Sequence, residues 1–367
     1  MIKELEKNTR HALLITLALV AGCTAPPATD ERADERHFVT IMTFNVENLF
    51  DTLDDPDKDD RTYLPLEAKQ TAEHKAACEL VEVPHWREQC LNWDWSEDIL
   101  ARKMSVVAAA ILQVNDGRGP DILALQEVEN LRVLEQLRTG YLSEAGFGPA
   151  ILVDGDDNRG IDVAFLTRLR ISGKPKLLRI PFDNAEPARV ADTRGILEAT
   201  FILPDGSLLT GYAVHFPAPF HPTEMRVVAY EFLAKLQASL PADRPAFAAG
   251  DFNTTSEEDA QQSMLDRFAR PHWMVVHEQD CRDAAGKCRG TSYYGRDDTW
   301  SYLDMILWAP SEDRGARATW GLRENSVRVA NATAAQVRAD GTPFRFELPD
   351  GSGVSDHWPL HFTIETK

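Results

Sequence analysis

A layered fold of β-sheets packed against helices, α/β or α+β, is what the sequence predicts, on two observations. Short runs rich in β-branched and aromatic residues recur along the chain, and segments with helical periodicity fall between several of them. The chain has 367 residues and 43% hydrophobic content, enough for one large core or two modest ones. Strands are predicted at 38–46 (FVTIMTFNV), 121–128 (DILALQEV), 160–167 (GIDVAFLT), 196–203 (ILEATFIL), 208–216 (LLTGYAVHF), 246–252 (AFAAGDF), 303–308 (LDMILW) and 360–366 (LHFTIET). Helices are predicted at 98–113, 131–138, 223–239 and 256–268.

The amino-terminal segment, MIKELEKNTRHALLITLALVAGC, begins positively charged and continues into an apolar run from Ala12 to Ala21, too short to span a bilayer. An export signal over 1–22 follows. Its end, LVAGC, is similar to the bacterial lipobox, in which the Cys becomes the lipidated first residue of the mature chain. Cys23 is then a membrane anchor, and the location is the cell envelope, outer membrane or periplasm. An ordinary cleaved signal with a chance Cys23 is the alternative. Residues 23–37 have the Pro, Ala and charge content of a tether, which leaves 38–367 as the folded domain.

With Cys23 set aside, Cys78, Cys90, Cys281 and Cys288 remain, and an even number in an exported chain suggests disulfides. Pairing Cys78 with Cys90 and Cys281 with Cys288 is the simplest of three connectivities. Zinc is the competing reading, but no pair has C-x-x-C spacing and no His pair lies beside them. Residues 51–97 stand apart: DTLDDPDKDD, then a Trp-rich stretch with no clear period. The Asp cluster lacks the Gly and terminal Glu of an EF-hand loop, so it reads as a solvated acidic insertion without catalytic groups.

The formal charge is −19, and removing 1–22, with three basic and two acidic groups, gives 36 − 56 = −20. Such a protein repels polyphosphate chains at long range, so a phosphate substrate needs a local cation.

Several predicted strands end in polar residues that a strand interior would not tolerate. Asn45 closes the first, Glu127 the second and His215 another; Asp251 and Asn253 lie two apart in AAGDFNTT; Asp304 opens an apolar strand; Asp356 and His357 stand together in GVSDHWP. Ser355, Asp356 and His357 cannot form a hydrolase triad with one another, because adjacent residues in extended chain point to opposite sides. A lone strand-end Asn or Asp is most often a turn residue. A succession of them reads as the rim of a sheet, where sites are built.

The ordered series TFNVEN, LQEV, RGIDVAFL, AVHF, GDFN, LDMILW and SDHWP resembles the endonuclease/exonuclease/phosphatase superfamily, which includes deoxyribonuclease I, from about Val39 to Thr366. The resemblance implies one domain, an α+β four-layer αββα sandwich of two mixed sheets flanked by helices. It implies Mg²⁺ or Mn²⁺ held by Glu127, Asn45 and Asp356, whose hard oxygens suit such ions. It makes His357 the general base oriented by Asp304, and gives Asp251 and Asn253 the attacking water and the phosphate. His215 contacts phosphate or helps the leaving oxygen. The family partners this second histidine with a Glu or places a Tyr nearby; here Asp162 is the only carboxylate in NRGIDVAFL, and it is expected to orient His215 if the register allows.

The function implied is a monomeric, exported, metal-dependent phosphodiesterase, an endonuclease acting on extracellular nucleic acid. The alternatives are a phospholipid or sphingomyelin phosphodiesterase or a phosphatase of the same superfamily, and, from another class, a non-catalytic binding lipoprotein. A lipid enzyme would need an exposed aromatic hairpin, for which 273–295 is the candidate.

Overall fold

The structure, a computed structural model, describes residues 36–311 and 319–367; the expected signal peptide and Cys23 lie outside them. Two mixed sheets carry the fold. The first runs in the order Trp320–Leu322, Leu360–Thr366, Phe38–Leu49, Ile122–Val128, Asp162–Thr167, Ile151–Leu152, with Arg328–Val329 also pairing with Leu360–Thr366. The second runs Lys176–Leu178, Ile196–Ile202, Leu208–His215, Ala246–Asp251, Asp304–Ala309, Met274–Val275. Each sheet has one parallel pair at its centre: Phe38–Leu49 with Ile122–Val128, and Leu208–His215 with Ala246–Asp251.

Alternation along the strands decides which face each residue takes. Val39, Ile41, Ile122, Ala124, Val163 and Phe165 of the first sheet meet Ala199, Phe201, Ala213, Phe247, Ala249 and Ile306 of the second in one buried cluster. The intervening residues Met42, Phe44, Leu123, Leu125, Ala164 and Leu166 face outward and are covered by the helices Glu97–Leu112 and Leu131–Gly140. On the far side, Tyr212, Val214, Ala248 and Leu307 are covered by the helix Thr223–Ala238. The result is helix, sheet, sheet, helix, the four-layer α+β sandwich.

Two segments depart from expectation. The predicted helix at 256–268 stops at Gln262, because Ser263 takes a left-handed φ of 53°, and one wide turn, Leu265–Ala269, follows. The insertion is folded rather than a solvated loop. It holds the helices Ala72–Glu79 and Pro84–Asn92, joined by the Cys78–Cys90 disulfide, so the three ligand-like groups His74, Cys78 and Cys90 are not a zinc site. Tyr63 stacks on Phe50, and Trp95, 2% exposed, donates its indole N–H to the Phe50 carbonyl. Aromatic packing anchors this segment, and it leaves no periodic signature in sequence. Cys281 and Cys288 form the second disulfide. No helix among the described residues is long and apolar enough to cross a membrane.

Gly250 sits where the central parallel strands of the second sheet touch. A Cβ there would lie 1.9 Å from the Val214 carbonyl oxygen. Gly250→Ala must therefore push the two strands apart, and the expected cost is about 1–3 kcal/mol or more, read as a lower urea midpoint, with activity lost because Asp251 moves with the strand.

Candidate active site

Strand parity gathers the polar strand ends. Asn45, His215, Asp251 and Asp304 share the alternation of the residues that fill the space between the sheets, but each lies at a strand terminus beyond the apolar layer. The two parallel pairs end at the same rim, and antiparallel pairing sets Asp304 opposite Asp251. His357 arrives just before Leu360–Thr366, whose register places Leu360 opposite Thr43.

His357 Nδ1 lies 2.7 Å from Asp304 Oδ2, and Asp304 is fully buried. The other ring nitrogen, Nε2, faces Asp251 Oδ2 at 4.0 Å and Asp356 Oδ1 at 3.9 Å. These gaps are too long for direct hydrogen bonds, and an oxygen about 2.8 Å from both Nε2 and Asp251 Oδ2 would sit beside the line that joins them. Burial lowers the proton affinity of His357, but Asp304, Asp251 and Asp356 outweigh it and raise the ring well above its usual value. Asp251 is pushed up to about 7, first by burial, against the opposing pull of His357. Asn45 Nδ2 donates to Asp251 Oδ2 at 3.1 Å and to Glu127 Oε1 at 3.2 Å. Asn253 donates its backbone N–H to Asp251 Oδ1 and its side-chain N–H to the Phe216 carbonyl, which fixes the turn after Asp251.

Glu127 takes a φ of 63° at the point where pairing between the second strand and its neighbours shifts register, and this bulge swings its carboxylate to the rim. Burial raises its carboxyl, but the positive charges of Arg159, the larger, and His357 carry it below the usual value, so it is ionised. Asp356 is half-exposed, and its carboxylate makes no hydrogen bond among the described residues. By donor chemistry an ionised Glu127, the Asp356 carboxylate and the amide oxygen of Asn45 suit a divalent cation, although the Asn45 amide here turns its Nδ2 rather than its oxygen to Glu127. In this arrangement that amide oxygen also accepts the Glu47 N–H at 3.0 Å. Ser355 has no chemical part; its hydroxyl donates to the Asn45 carbonyl and accepts the His357 N–H.

His215 Nε2 lies 3.7 Å from Asp251 Oδ2, while its Nδ1 is buried without a partner. Burial, with Arg194 and Arg159 adding to it, lowers the ring well below its usual value and keeps it neutral. Asp162 does not orient it. Val163 and Phe165 face the second sheet, so Asp162 has the opposite parity, and its carboxylate instead accepts the Gly155 N–H at 3.0 Å.

Sequence reading missed the residues that brace this rim and balance its charge. Glu47 accepts the N–H groups of Phe346 and Asp356 and pairs with Arg345, tying the SDHWP loop to the first strand. Arg159 donates to Asn48, whose own N–H binds Glu127. Glu47 and Arg159 lie inside TFNVEN and NRGIDVAFL, where position within the motif was the available signal; Arg345 and Arg194 had none.

Asp162 also gives a pH test. Burial pushes its carboxyl from 3.8 up to about 7, so the folded chain holds this proton more tightly than the unfolded chain. The resulting stabilisation is complete below about pH 4 and is lost as the pH rises to 7, at about 1.4 kcal/mol per pKa unit. Asn keeps an acceptor for Gly155 and cannot ionise. Asp162→Asn is expected to match the wild type at pH 4, to exceed it by about 1–4 kcal/mol at pH 8 in denaturant titrations, and to leave kcat unchanged.

The family model described as Endonuclease/Exonuclease/phosphatase family matches residues 42–357. No curated protein sequence matches the chain. Among solved structures, an endonuclease/exonuclease/phosphatase family protein from Bacteroides thetaiotaomicron is similar with a TM-score of 0.55 at 17% identity, covering 91% of this chain and 99% of its own. The endonuclease/exonuclease/phosphatase from Bacteroides vulgatus gives 0.51 at 15%, covering 90% and 99%. Truncated TDP2 from Caenorhabditis elegans gives 0.51 at 14%, covering 89% and 97%. At these identities the structural likeness is one of fold. The match across most of the sequence goes further: this chain belongs to the Endonuclease/Exonuclease/phosphatase family, whose enzymes hydrolyse phosphoester bonds and generally use divalent metal ions.

Proposed function

We propose that this protein is an exported, metal-dependent phosphodiesterase that cleaves nucleic acid, with a preference for single strands. The observation that carries the reaction type is the buried Asp304–His357 pair with its Nε2 4.0 Å from Asp251, beside Glu127 and Asn45. A water bridging His357 Nε2 and Asp251 Oδ2 from the side loses its proton to the Asp251–His357 unit, with Asp304 fixing the ring and balancing its charge. Asn45 and Asn253 keep Asp251 aimed at the water. Neutral His215 and the guanidinium of Arg159 face the phosphoryl oxygens and the leaving oxygen. A cation at Glu127, Asp356 and Asn45 would neutralise phosphate charge and polarise the P–O bond when bound.

The adjoining cavity, about 690 Å³, points to the substrate class, for its lining includes Asn48, Arg159, Arg345, Tyr63, Trp86 and Phe220. Trp86, from the insertion, is 60% exposed and Phe220, from the loop after His215, is 70% exposed. Guanidinium groups beside open aromatic faces suit an unstacked base with its flanking phosphate. Within 273–295, Trp273 is buried, Tyr293 donates its hydroxyl to Asp298, and Tyr294, 52% exposed, has Arg296 over its ring, so the hairpin presents one exposed ring rather than an apolar surface. Export is supported by the lipobox-like segment and by two disulfides.

Single-stranded and duplex DNA, RNA, sphingomyelin and a phosphatidylinositol phosphate, each assayed with Mg²⁺ and with EDTA, test the reading. Mg²⁺-dependent cleavage of single strands is expected, reduced about 10²–10⁴-fold in His357→Ala; cleavage confined to the lipids would overturn the nuclease assignment. Trp86→Ala is expected to raise KM for a single-stranded oligonucleotide about tenfold with little change in kcat, the loss of one stacked base.

A further inference from the structure

Three carboxylates outside the catalytic rim, Asp55, Asp60 and Glu129, bring oxygens within 4.8 Å of one another. Two of them have one oxygen committed to the backbone: Asp60 Oδ2 accepts the Asp55 N–H at 2.8 Å, and Glu129 Oε2 accepts the Asp51 N–H at 2.7 Å. The other oxygens, Asp60 Oδ1 and Glu129 Oε1, are buried without any partner, on residues only 1% and 4% exposed. Buried carboxylate oxygens with nothing to accept are rare and costly, and two in one cluster point to a missing cation.

The nearby basic groups do not supply it. Arg132 and Asn130 donate to Asp51 Oδ2. Lys58 is turned to the carbonyls of Gly155 and Asp157, and Arg61 pairs with Asp59. Among the described residues no Lys or Arg side chain bonds Asp60 or Glu129.

We propose that Asp55, Asp60 and Glu129 hold a calcium ion. The donors are all carboxylate oxygens, with no His or Cys, which excludes the softer metals. They come from an irregular loop and a strand end, an arrangement that tolerates the variable coordination of Ca²⁺ better than the strict octahedron of Mg²⁺. The ion would act as a clamp. Asp55 and Asp60 belong to the first turns of the insertion, and Glu129 follows the strand that bears Glu127, its N–H bonded to the Leu49 carbonyl at 3.0 Å. Calcium would thus pin the insertion, and with it Trp86, to the strand ends that carry Asn45 and Glu127.

The test uses CaCl₂ added to EDTA-treated protein, read by thermal unfolding and by isothermal titration. Glu127→Gln serves as the parent so that binding at the reaction site does not contribute. Calcium is expected to bind this parent with one site and to raise its Tm by several degrees. Asp60→Asn and Glu129→Gln, each in that parent, are expected to weaken binding at least tenfold and to abolish the shift. Both changes conserve shape, and Asp55→Asn, at a half-buried position, gives the same reading if either fails to fold. No calcium binding by the parent, an undiminished shift in Asp60→Asn and Glu129→Gln, or a larger shift with MgCl₂ than with CaCl₂ would overturn the assignment. Because none of these readouts is turnover, they stand or fall apart from the nuclease reading.

Discussion

The constraint on which the rest of this structure depends is negative charge withdrawn from water at one rim of the sandwich. Glu47, Asp251 and Asp304 are buried there, with Glu127 and Asp356 beside them. Isolated, each buried carboxylate would cost several kcal/mol. The fold offsets this with cations placed one layer behind. Lys103, itself fully buried, donates to the Val354 carbonyl and sits against the field of Glu47 and Asp356; burial lowers its ammonium to about 8. Arg345 pairs with Glu47, Arg159 answers Glu127, and His357 answers Asp304. Glu47 shows the balance is incomplete: burial and then Asp356 push it up to about 7 despite Lys103 and Arg345.

The backbone bears part of the cost. Glu47, Asn48, Glu127 and Asn253 all have φ between 51° and 63°, a region that non-glycine residues seldom enter, and all four lie at this rim. At Glu127 the benefit is plain. Regular alternation would aim its side chain at the helix layer with Leu123 and Leu125, and the bulge returns it to the site. Left-handed geometry at Asn48 points its N–H at Glu127.

Much of this was legible in the sequence, and the boundary has a physical basis. The long central strands announce themselves by alternation, and their polar ends mark the rim, so Asn45, His215, Asp251, Asp304 and His357 fall together. Asp162 failed because face assignment turns on a single residue: RGIDV reads equally well with the Asp inward or outward, and only pairing with Ile122–Val128 fixes it. The insertion failed for a different reason. Its helices are short and weakly amphipathic, and what holds them is a disulfide and an aromatic cluster in which Tyr63 meets Phe50, Trp93 and Trp95, and Trp95 meets Phe346, remote in sequence. Arg345 lies in a loop without periodicity and reaches Glu47 across nearly the whole chain.

The same charge balance bears on how a polyanion could be handled by a chain of net charge −19. Repulsion acts beyond contact and is screened over about 8 Å at physiological salt, whereas Arg159, Arg345 and the open faces of Trp86 and Phe220 act only at contact. A duplex must lay many phosphates along an acidic surface to reach the rim. A single strand can present one phosphate and one unstacked base, and gains stacking that the duplex has already spent within itself. On the proposed reading, short-range attraction inside a cavity with long-range repulsion outside it would select for ends and unpaired segments, and the insertion, which supplies Trp86, would take part in substrate choice.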